Sequence, residues 1–441
     1  MPTRTKAHII DNADNALSLG LTFDHAPSVK IGERENYRSK TKTIARTIIR
    51  RNGVASVSNQ PALNGFKSMT DAEHFDLSWL RSTVNPYFAS GDDEVRIADL
   101  FCGCGGMSLG LMESCRALNR HGRIVFAADV VKDYLDVYEQ NLKPTIASSD
   151  PIESMFDSAI GAKLSPVEKS WKARLKNVTI AAGGPPCQGH SDLNNHTRRV
   201  DPRNDLYARM ARFAEVIEPE HLIIENVLGV RHDRSGVFDR TVNSLLKMGY
   251  YLDVLVIKAQ EIGVPQRRHR ALIVASKSVK LQMGHFDLLL DGYRVKERSF
   301  AWACGDLLGD GKDSLLDQTS ILTAESKRRV DWLFNNDEYD LPDSLRPSCH
   351  RDKDHTYNSV YGRLYWEKPA WTITTGFLVM GQGRFIHPLE RRVITPHEGA
   401  RLQFFPDFFD FGTQTRHGYA KMIGNAVPPK MSFVVATELL R

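Results

Sequence analysis

Mostly apolar runs alternate with segments of helical spacing from residue 95 onward, and this alternation restricts the fold more than any other feature of the sequence. We interpret the apolar runs as strands, at Val95–Phe101, Arg123–Asp129, Val178–Ala182, His221–Glu225, Tyr251–Ile257 and Ala271–Ala275. Helix-like segments, Met107–Leu118 and Lys132–Leu142, follow the first two runs. The pattern predicts an α/β fold, with helices on both faces of a mainly parallel sheet. Ligands of such sheets bind at the carboxyl ends of the strands.

The chain divides into four predicted parts. Residues 1–90 form a basic extension of open role, and residues 91–276 hold the alternating segments. Residues 277–390 lose the alternation and read as a smaller, irregular module. In residues 391–441 the helical pattern returns, around Thr395–Gln403 and from Pro429 to the end.

Basic residues cluster in the N-terminal extension, at Lys40, Lys42, Arg46, Arg50 and Arg51. We predict a short basic helix over Thr43–Arg51. One interpretation of the extension is a partly ordered, solvated segment, and the alternative is an arm that contacts nucleic acid.

The totals exclude several classes of protein. The formal net charge of +5 permits a polyanionic partner without requiring one. Six cysteines with no Cys-x-x-Cys pair argue against a disulfide framework and a structural zinc site, so we expect no metal. No apolar run reaches the roughly 18–20 residues that cross a bilayer. The first residues lack the apolar core of a secretory signal. We therefore expect a cytoplasmic protein without membrane association.

A glycine-rich turn follows the first predicted strand, in Asp99-Leu-Phe-Cys-Gly-Cys-Gly-Gly106. Glycines let a backbone approach a ligand closely, and the start of a helix offers free N–H groups. Residue 108 is Ser, so the Gly-x-Gly-x-x-Gly spacing of nicotinamide oxidoreductases is absent. Asp129 ends the next strand, where an acidic residue often binds ribose hydroxyls, although a helix cap is the alternative. Together they predict a cofactor site.

Cys187 has the sequence context of a nucleophile, in Gly183-Gly-Pro-Pro-Cys187-Gln-Gly189. Two prolines fix the chain directly before the cysteine, and glycines on both sides open space around it. A buried structural cysteine needs no such frame. A nucleophile does, because it must project from a rigid turn into a cleft.

Charged residues follow two other predicted strands. Glu225 closes an apolar strand, where a carboxylate is costly unless it is paired or functional. Arg268 and Arg270 belong to Gln266-Arg-Arg-His-Arg270, between two strand candidates. A solvated basic turn is the alternative for this run.

These motifs, in this order, resemble those of the DNA cytosine-5 methyltransferases of bacterial restriction–modification systems. The matching segments span Asp99 to Pro429 and include Glu225-Asn-Val, Arg401-Leu-Gln-Phe-Phe-Pro-Asp407 and Gly424-Asn-Ala-Val-Pro-Pro429. The resemblance implies a Rossmann-like methyltransferase sheet that binds S-adenosylmethionine, with residues 277–390 as a target-recognition domain. It also implies sequence-specific methylation of cytosine in double-stranded DNA.

The resemblance assigns roles to particular residues. The Cys187 thiolate would add to carbon 6 of a flipped-out cytosine, and Glu225 would bind ring nitrogen 3 and the exocyclic amine. Arg268 would orient the pyrimidine oxygen or Glu225, with Arg270 nearby. The cofactor would contact Asp99, Phe101, Gly103, Gly105, Gly106, Asp129, Asp150 and Asn425.

Contacts to DNA are expected from a polar loop, Gly189–Asn204, that would close over the flipped base. The expected contact residues are Gln188, Ser191, Arg198, Arg199 and Arg203. We expect a monomer that associates with the nucleoid through DNA, with a functionally linked restriction endonuclease as a further partner. Two alternatives remain, a tRNA cytosine-5 methyltransferase and a catalytically inactive DNA-binding regulator. The first usually carries Cys-Phe-Thr, which is absent here, and the second typically loses the nucleophile or the glutamate.

Overall fold

The computed structural model describes residues 35–40, 42–63, 69–86, 93–186, 205–232, 236–309, 314–348, 351, 360–412 and 414–441. The strands are β1 (Asn36–Ser39), β2 (Thr43–Ile49), β3 (Ala55–Pro61), β4 (Glu94–Leu100), β5 (His121–Ala128), β6 (Ala147–Ser148), β7 (Ile180–Gly183), β8 (His221–Asn226), β9 (Tyr251–Lys258), β10 (Gln266–Arg267), β11 (His269–Ser276) and β12 (Ala370–Trp371). The helices are α1 (Asp71–Leu80), α2 (Gly106–Ala117), α3 (Lys132–Leu142), α4 (Ile152–Met155), α5 (Pro166–Arg174), α6 (Asp205–Ile217), α7 (Val237–Lys247), α8 (His285–Leu290), α9 (Phe300–Cys304), α10 (Ala324–Asn335), α11 (Pro396–Leu402), α12 (Arg416–Asn425) and α13 (Pro429–Leu440).

A seven-stranded sheet forms the centre of the molecule, in the order β6-β5-β4-β7-β8-β11-β9. Its strands run in one direction except β11, which is antiparallel to both neighbours. All six strands predicted from the apolar runs are present in it, with ends shifted by at most two residues. The prediction of a mainly parallel α/β sheet is confirmed.

The two faces of the sheet pack into two separate cores, as the alternation of side chains along a strand requires. Ile97 of β4 and Ile223 of β8 belong to the core that contains α2 and α13. Their neighbours Ala98 and Ile224 belong to the opposite core, under α6 and α7. Helices therefore cover both faces, and the central strands are apolar on both sides.

The predicted helix over Thr43–Arg51 is wrong, because this segment is the strand β2. It lies between β1 and β3 in an antiparallel three-stranded sheet. The least exposed side chains of β2 alternate along it, at Ile44, Arg46 and Ile48, which is the period of a strand. Five of its seven residues are Thr or Ile, whose branched side chains favour extended backbone.

The described part of the extension is packed against α2 and α13, which corrects the prediction of a solvated segment. Arg46 is buried, and its guanidinium lies 2.6 Å from Glu113 of α2. Arg50 donates to the carbonyls of Leu118 and Asn119, which follow α2. Arg51 donates to the carbonyl of Glu438 in α13. Arg50 and Arg51 therefore cap the C-terminal ends of α2 and α13.

The described side chains of residues 277–390 join the core on one face of the sheet. Phe300, Leu333 and Phe377 are fully buried in the cluster that also holds α2 and α13. Strand β12 extends this continuity, because it pairs in parallel with β10. The domain boundaries at residues 91, 277 and 391 stay predictions. The helical pattern predicted for residues 391–441 is confirmed by α11 and α13.

Across the described ranges, the helices are too short or too polar to span a bilayer.

A histidine in the first turn of α11 bridges two carboxylates. His397 Nδ1 lies 2.7 Å from Asp317 Oδ1, and its Nε2 lies 2.9 Å from Asp407 Oδ1. Burial opposes the charged imidazole and lowers its pKa, as does the nearby Arg401. The hydrogen bonds that the ring donates to Asp317 and Asp407 outweigh these effects, so the pKa of His397 is raised. Since Asp317 ends the 3-10 turn Leu315–Asp317, the bridge connects this turn to the C-terminal segment. Asp407 also pairs with Arg401.

We predict that Arg46→Met destabilises the fold by about 3 kcal/mol, because a buried ion pair loses one partner. Glu113 keeps a second partner, Arg116 at 2.6 Å, which limits the loss. Urea unfolding measures the effect. Arg38→Met, at an exposed position of β1, is the control and should stay within about 0.5 kcal/mol of wild type. Equal losses in both variants would contradict the packed arrangement.

We also predict that His397→Gln costs more stability at pH 6 than at pH 9. The folded pKa is raised, so the bridge contributes fully below the unfolded value of about 6.5 and fades as the pH rises through the higher folded value. Urea unfolding of both proteins at the two pH values tests this. A difference between variant and wild type that does not depend on pH would show that the imidazole is not charged in the fold.

Candidate active site

The predicted chemical residues gather at one edge of the sheet, where β4 lies between β5 and β7. The turn Phe101–Gly106 follows β4, and Asp129 follows β5. Gly184–Pro186 follows β7, and Glu225 is the second-last residue of β8. Parallel strands bring these ends together, and β4 is the point at which the strand order reverses. This is where open α/β sheets bind ligands.

The glycine turn is built from backbone conformations that favour glycine. Gly103 and Gly105 have φ angles of 52° and 104°, in the left-handed region. Gly105 is the N-cap residue of α2 and has no side chain that could cap the first amides of the helix. A Cβ atom built on Gly103 would meet no atom within 4 Å. The turn therefore borders open space, as a cofactor cradle must.

Asp129 is hydrogen-bonded to the glycine turn. The Gly103 amide donates to its Oδ2 at 2.9 Å, and the Val131 amide donates to its Oδ1 at 2.9 Å. Burial raises the pKa of Asp129, and the two amide hydrogen bonds oppose the rise. Asp150 follows the neighbouring strand β6 and is exposed, with the Ser148 hydroxyl donating to it at 2.9 Å. Both carboxylates thus lie at adjacent strand ends.

Asp99 is held beneath α2 instead of on the open side of the turn. The Ser108 hydroxyl donates to Asp99 Oδ2 at 2.6 Å, and the Tyr138 hydroxyl donates to Ser108 at 2.6 Å. The other carboxylate oxygen, Oδ1, is buried without a partner in the described part of the chain. Burial raises the pKa of Asp99 to about 7. A buried carboxyl group with one free oxygen is costly to stability.

The closing segment of the chain lies against the glycine turn. A Cβ atom on Gly106 would come within 2.3 Å of the Val427 carbonyl oxygen, so the two backbones touch. Asn425 ends α12, is exposed, and hydrogen-bonds Tyr134 of α3. The closing segment thus packs against the glycine turn and α3, near Asp129.

Glu225 and Arg270 form an ion pair at the other side of this edge. Arg270 Nε lies 2.8 Å from Glu225 Oε1, and Glu225 is only 8% exposed. A Cβ atom on Gly184 would lie 3.2 Å from Glu225 Oε2, so the chain leading to Cys187 passes beside the carboxylate. Asn226 donates to the Pro185 carbonyl at 3.3 Å and anchors that chain.

Arg268 has a different environment from Arg270. It is buried, and its guanidinium donates to the carbonyls of Ile373 at 3.0 Å and Ala426 at 3.1 Å. The expectation named Arg268 first and Arg270 as a neighbour, yet Arg270 is the arginine that contacts Glu225. The reason is strand geometry, since Arg270 lies in β11 beside β8, whereas Arg268 lies in the link before β11.

Several predicted residues lie outside the described part of the chain, namely Cys187, Gln188, Ser191, Arg198, Arg199 and Arg203.

Sequence reasoning missed the partners of Asp99. It treated Ser108 only as a break in the glycine spacing, but Ser108 supplies the hydroxyl that binds Asp99. A Ser in the first turn of a helix, nine residues after a strand-end Asp, was the available signal. Tyr138 carries no comparable signal, because its apolar spacing on α3 predicts only a core position.

One group of potential metal ligands lies in the described ranges, at His387, Glu390 and Glu398, near the start of α11. Arg392 already hydrogen-bonds Glu398 at 2.7 and 2.8 Å and Glu390 at 2.7 Å. Both carboxylates therefore already have a cationic partner within the protein, and the group is not part of the site.

Known proteins are similar to this chain in sequence and in fold. The family model described as C-5 cytosine-specific DNA methylase matches residues 95–441. The chain is 44% identical to the type II methyltransferase M1.BsuMI of Bacillus subtilis (strain 168) over 409 residues, 92% of this chain and 95% of the relative. It is 29% identical to the type II methylase M.HgiDII of Herpetosiphon aurantiacus, over 78% of this chain and 95% of the relative. The structure of the S. pombe Dnmt2 methyltransferase has the same fold, with a TM-score of 0.53 and 18% identity over 79% of this chain and 98% of that one.

We predict that Asp99→Asn gains stability relative to wild type as the pH rises from 5 to 8. The folded pKa is raised to about 7, above the unfolded value of about 3.9, so the wild type loses stability across that window while the amide does not titrate. Urea unfolding at both pH values measures this, with the exposed Asp150→Asn as control. A constant difference between Asp99→Asn and wild type would mean that Asp99 is ionised throughout.

Proposed function

Because the chain belongs to the C-5 cytosine-specific DNA methylase family and is a DNA cytosine-5 methyltransferase, we propose that Cys187, Glu225 and Arg270 carry out its reaction. The observation that supports this most directly is the buried ion pair of Glu225 and Arg270, 2.8 Å long, beside the chain that leads to Cys187. The reaction methylates carbon 5 of a cytosine in double-stranded DNA.

Cys187 solves the main chemical difficulty of the reaction. Carbon 5 of cytosine is a poor nucleophile, so it does not take up a methyl group directly. Once the Cys187 thiol has lost its proton, the thiolate adds to carbon 6 and the ring becomes an enamine that is nucleophilic at carbon 5. After methylation, a base such as water removes the proton from carbon 5. The electrons of that bond then expel the thiolate.

Glu225 binds the edge of the cytosine while this charge develops. Its carboxylate accepts hydrogen bonds from the exocyclic amine and from protonated ring nitrogen 3, which stabilises the adduct. Arg270 holds Oε1, so it fixes the orientation of Glu225 before the base arrives. The low exposure of the pair strengthens these interactions, because little water competes for them. Arg268 donates to the carbonyls of Ile373 and Ala426 and thereby holds these two segments together near the site.

The residues around the glycine turn fit S-adenosylmethionine, which supplies an electrophilic methyl group when bound. The open space at Gly103, the N-terminal end of α2 and the partly exposed Asp129 suit a nucleoside with ribose hydroxyls. We also assign cofactor contacts to Phe101, Gly105 and Gly106 of the turn and to Asn425. Asp150 is assigned to the adenine amino group, and Asp99 supports the turn through Ser108. We assign no metal to this chemistry.

The target base must leave the stacked duplex before Glu225 and Cys187 can reach it. We assign the loop Gly189–Asn204 to closure over the flipped base, with contacts from Gln188, Ser191, Arg198, Arg199 and Arg203. Residues 277–390 would read the target sequence in the major groove.

The cellular setting is the last part of the proposal. We propose a monomer that acts in the cytoplasm, on nucleoid DNA. The relatives named above are type II methyltransferases, which supports a functionally linked restriction endonuclease as a partner.

We predict that wild type transfers tritium from labelled S-adenosylmethionine to mixed-sequence duplex DNA as 5-methylcytosine. Cys187→Ala should abolish transfer, because no thiolate forms the adduct. Glu225→Gln should lower kcat by about 10²- to 10³-fold, since it loses an acceptor that acts in the transition state. Binding of S-adenosylmethionine, measured by calorimetry, should be unchanged in both. Bisulfite sequencing of the product would give the target.

The control is Arg267→Gln. Arg267 is exposed, next to Arg268 in the chain, and pairs with Glu297 at 3.4 Å. This variant should keep kcat within about 3-fold of the wild-type value. Transfer to tRNA instead of DNA would move the activity to the RNA branch. Tight DNA binding without transfer to either would indicate an inactive regulator and overturn the mechanism.

A further inference from the structure

The segment Gly424–Val427 is wedged between three parts of the site. A Cβ atom on Gly424 would lie 2.4 Å from the backbone of Thr374 and Thr375, and one on Gly106 would lie 2.3 Å from the Val427 carbonyl oxygen. The Val427 side chain lies 4.0 Å from the Cβ position of Gly184. The segment thus lies between the glycine turn and the chain beside Glu225. On its other side it contacts residues 374 and 375, which belong to residues 277–390, called the recognition segment below.

A pair of buried glutamines holds this segment from behind. Gln403 Nε2 donates to the carbonyls of Ile423 at 2.5 Å and Ala426 at 3.2 Å. Gln266 Nε2 donates to Gln403 Oε1 at 2.5 Å and to the Leu402 carbonyl at 2.9 Å. The carboxamides are therefore linked in series, and the second one fixes the carbonyls of the segment.

The pair also reaches the recognition segment. The Ile373 amide donates to Gln266 Oε1 at 2.9 Å, and Arg268 joins the carbonyls of Ile373 and Ala426. Every carboxamide atom of the two glutamines has a defined role, because backbone groups set which atom donates and which accepts.

These contacts are expensive to make in a protein interior. Gln266 and Gln403 are both fully buried, and a buried amide is costly unless all its hydrogen bonds form. Apolar side chains of similar size would fill the same space without that cost. A polar network that is complete, however, fixes one geometry, whereas apolar packing tolerates sliding.

We infer that Gln266 and Gln403 are positioning residues for methyl transfer, which hold Gly424–Val427 against the cofactor turn and couple it to the recognition segment at Ile373–Thr375. The inference rests on the proposed function, since it takes the glycine turn as the cofactor site. Both glutamines are fully buried, away from the open side of the glycine turn. Each acts through the backbone carbonyls that it binds.

The test is Gln403→Met, which keeps the length of the side chain and removes its donors. We expect the dissociation constant of S-adenosylmethionine, measured by calorimetry, to rise roughly 10- to 100-fold, as the loss of buried hydrogen bonds implies. The KM for S-adenosylmethionine should rise with it and kcat should fall, while the KM for duplex DNA changes less than about 3-fold. Gln266→Met should act in the same direction.

Asp253→Asn is the matched control. Asp253 is also fully buried and accepts two backbone hydrogen bonds, from Gly284 at 2.9 Å and Phe286 at 2.7 Å, but it lies in the edge strand β9. It should lower the midpoint of thermal unfolding without changing the affinity for S-adenosylmethionine. A folded Gln403→Met protein with wild-type affinity and kcat would overturn the inference, as would an equal loss of affinity in the control.

A measurement on the wild-type chain decides the matter if both glutamine variants fail to fold. In hydrogen–deuterium exchange, S-adenosylmethionine should slow the amides of residues 423–427 and, through the glutamines, the Ile373 amide. Protection confined to residues 423–427 would overturn the coupling. Failure of the proposed function would look different, because Glu225→Gln would then keep its activity whatever the glutamine variants do.

Discussion

The parallel pairing of β4 with β5 on one side and β7 on the other is the constraint from which the site follows. Parallel strands end at the same edge, so residues that follow them in sequence become neighbours in space. The glycine turn, Asp129 and the chain before Cys187 each follow one of these strands. The two apolar cores fix the sheet from both faces and leave this edge for polar chemistry.

Polar groups inside the protein mark where function outweighs stability. Glu225 has Arg270 as a partner, and the carboxamides of Gln266 and Gln403 satisfy each other and nearby backbone groups. Asp99 differs from them, because burial raises its pKa and one of its oxygens has no partner in the described structure. Such groups are expensive to bury, so the presence of Glu225 and Asp99 at the carboxyl ends of β8 and β4 agrees with a catalytic site there.

The N-terminal residues show how far charge patterns can mislead. Lys42, Arg46 and Arg50 are spaced by four, as on one face of a helix, and their charge predicts solvent exposure. The branched residues between them favour a strand, and free carbonyls at the ends of α2 and α13 provide partners for Arg50 and Arg51. Those carbonyls belong to distant parts of the chain, so local sequence contains no sign of them.

The sequence by itself determined the strand–helix alternation, the residue types of each motif and hence the family, because period and motif spacing are local properties. Tertiary structure decided which members of those motifs meet. In the fold, Glu225 pairs with Arg270, whereas Arg268 donates to backbone carbonyls. Ser108 hydrogen-bonds Asp99, and Gln266 hydrogen-bonds Gln403. These contacts depend on strand register and on backbone groups far away in sequence. A backbone carbonyl carries no side-chain identity, so only its position in the fold shows what it binds.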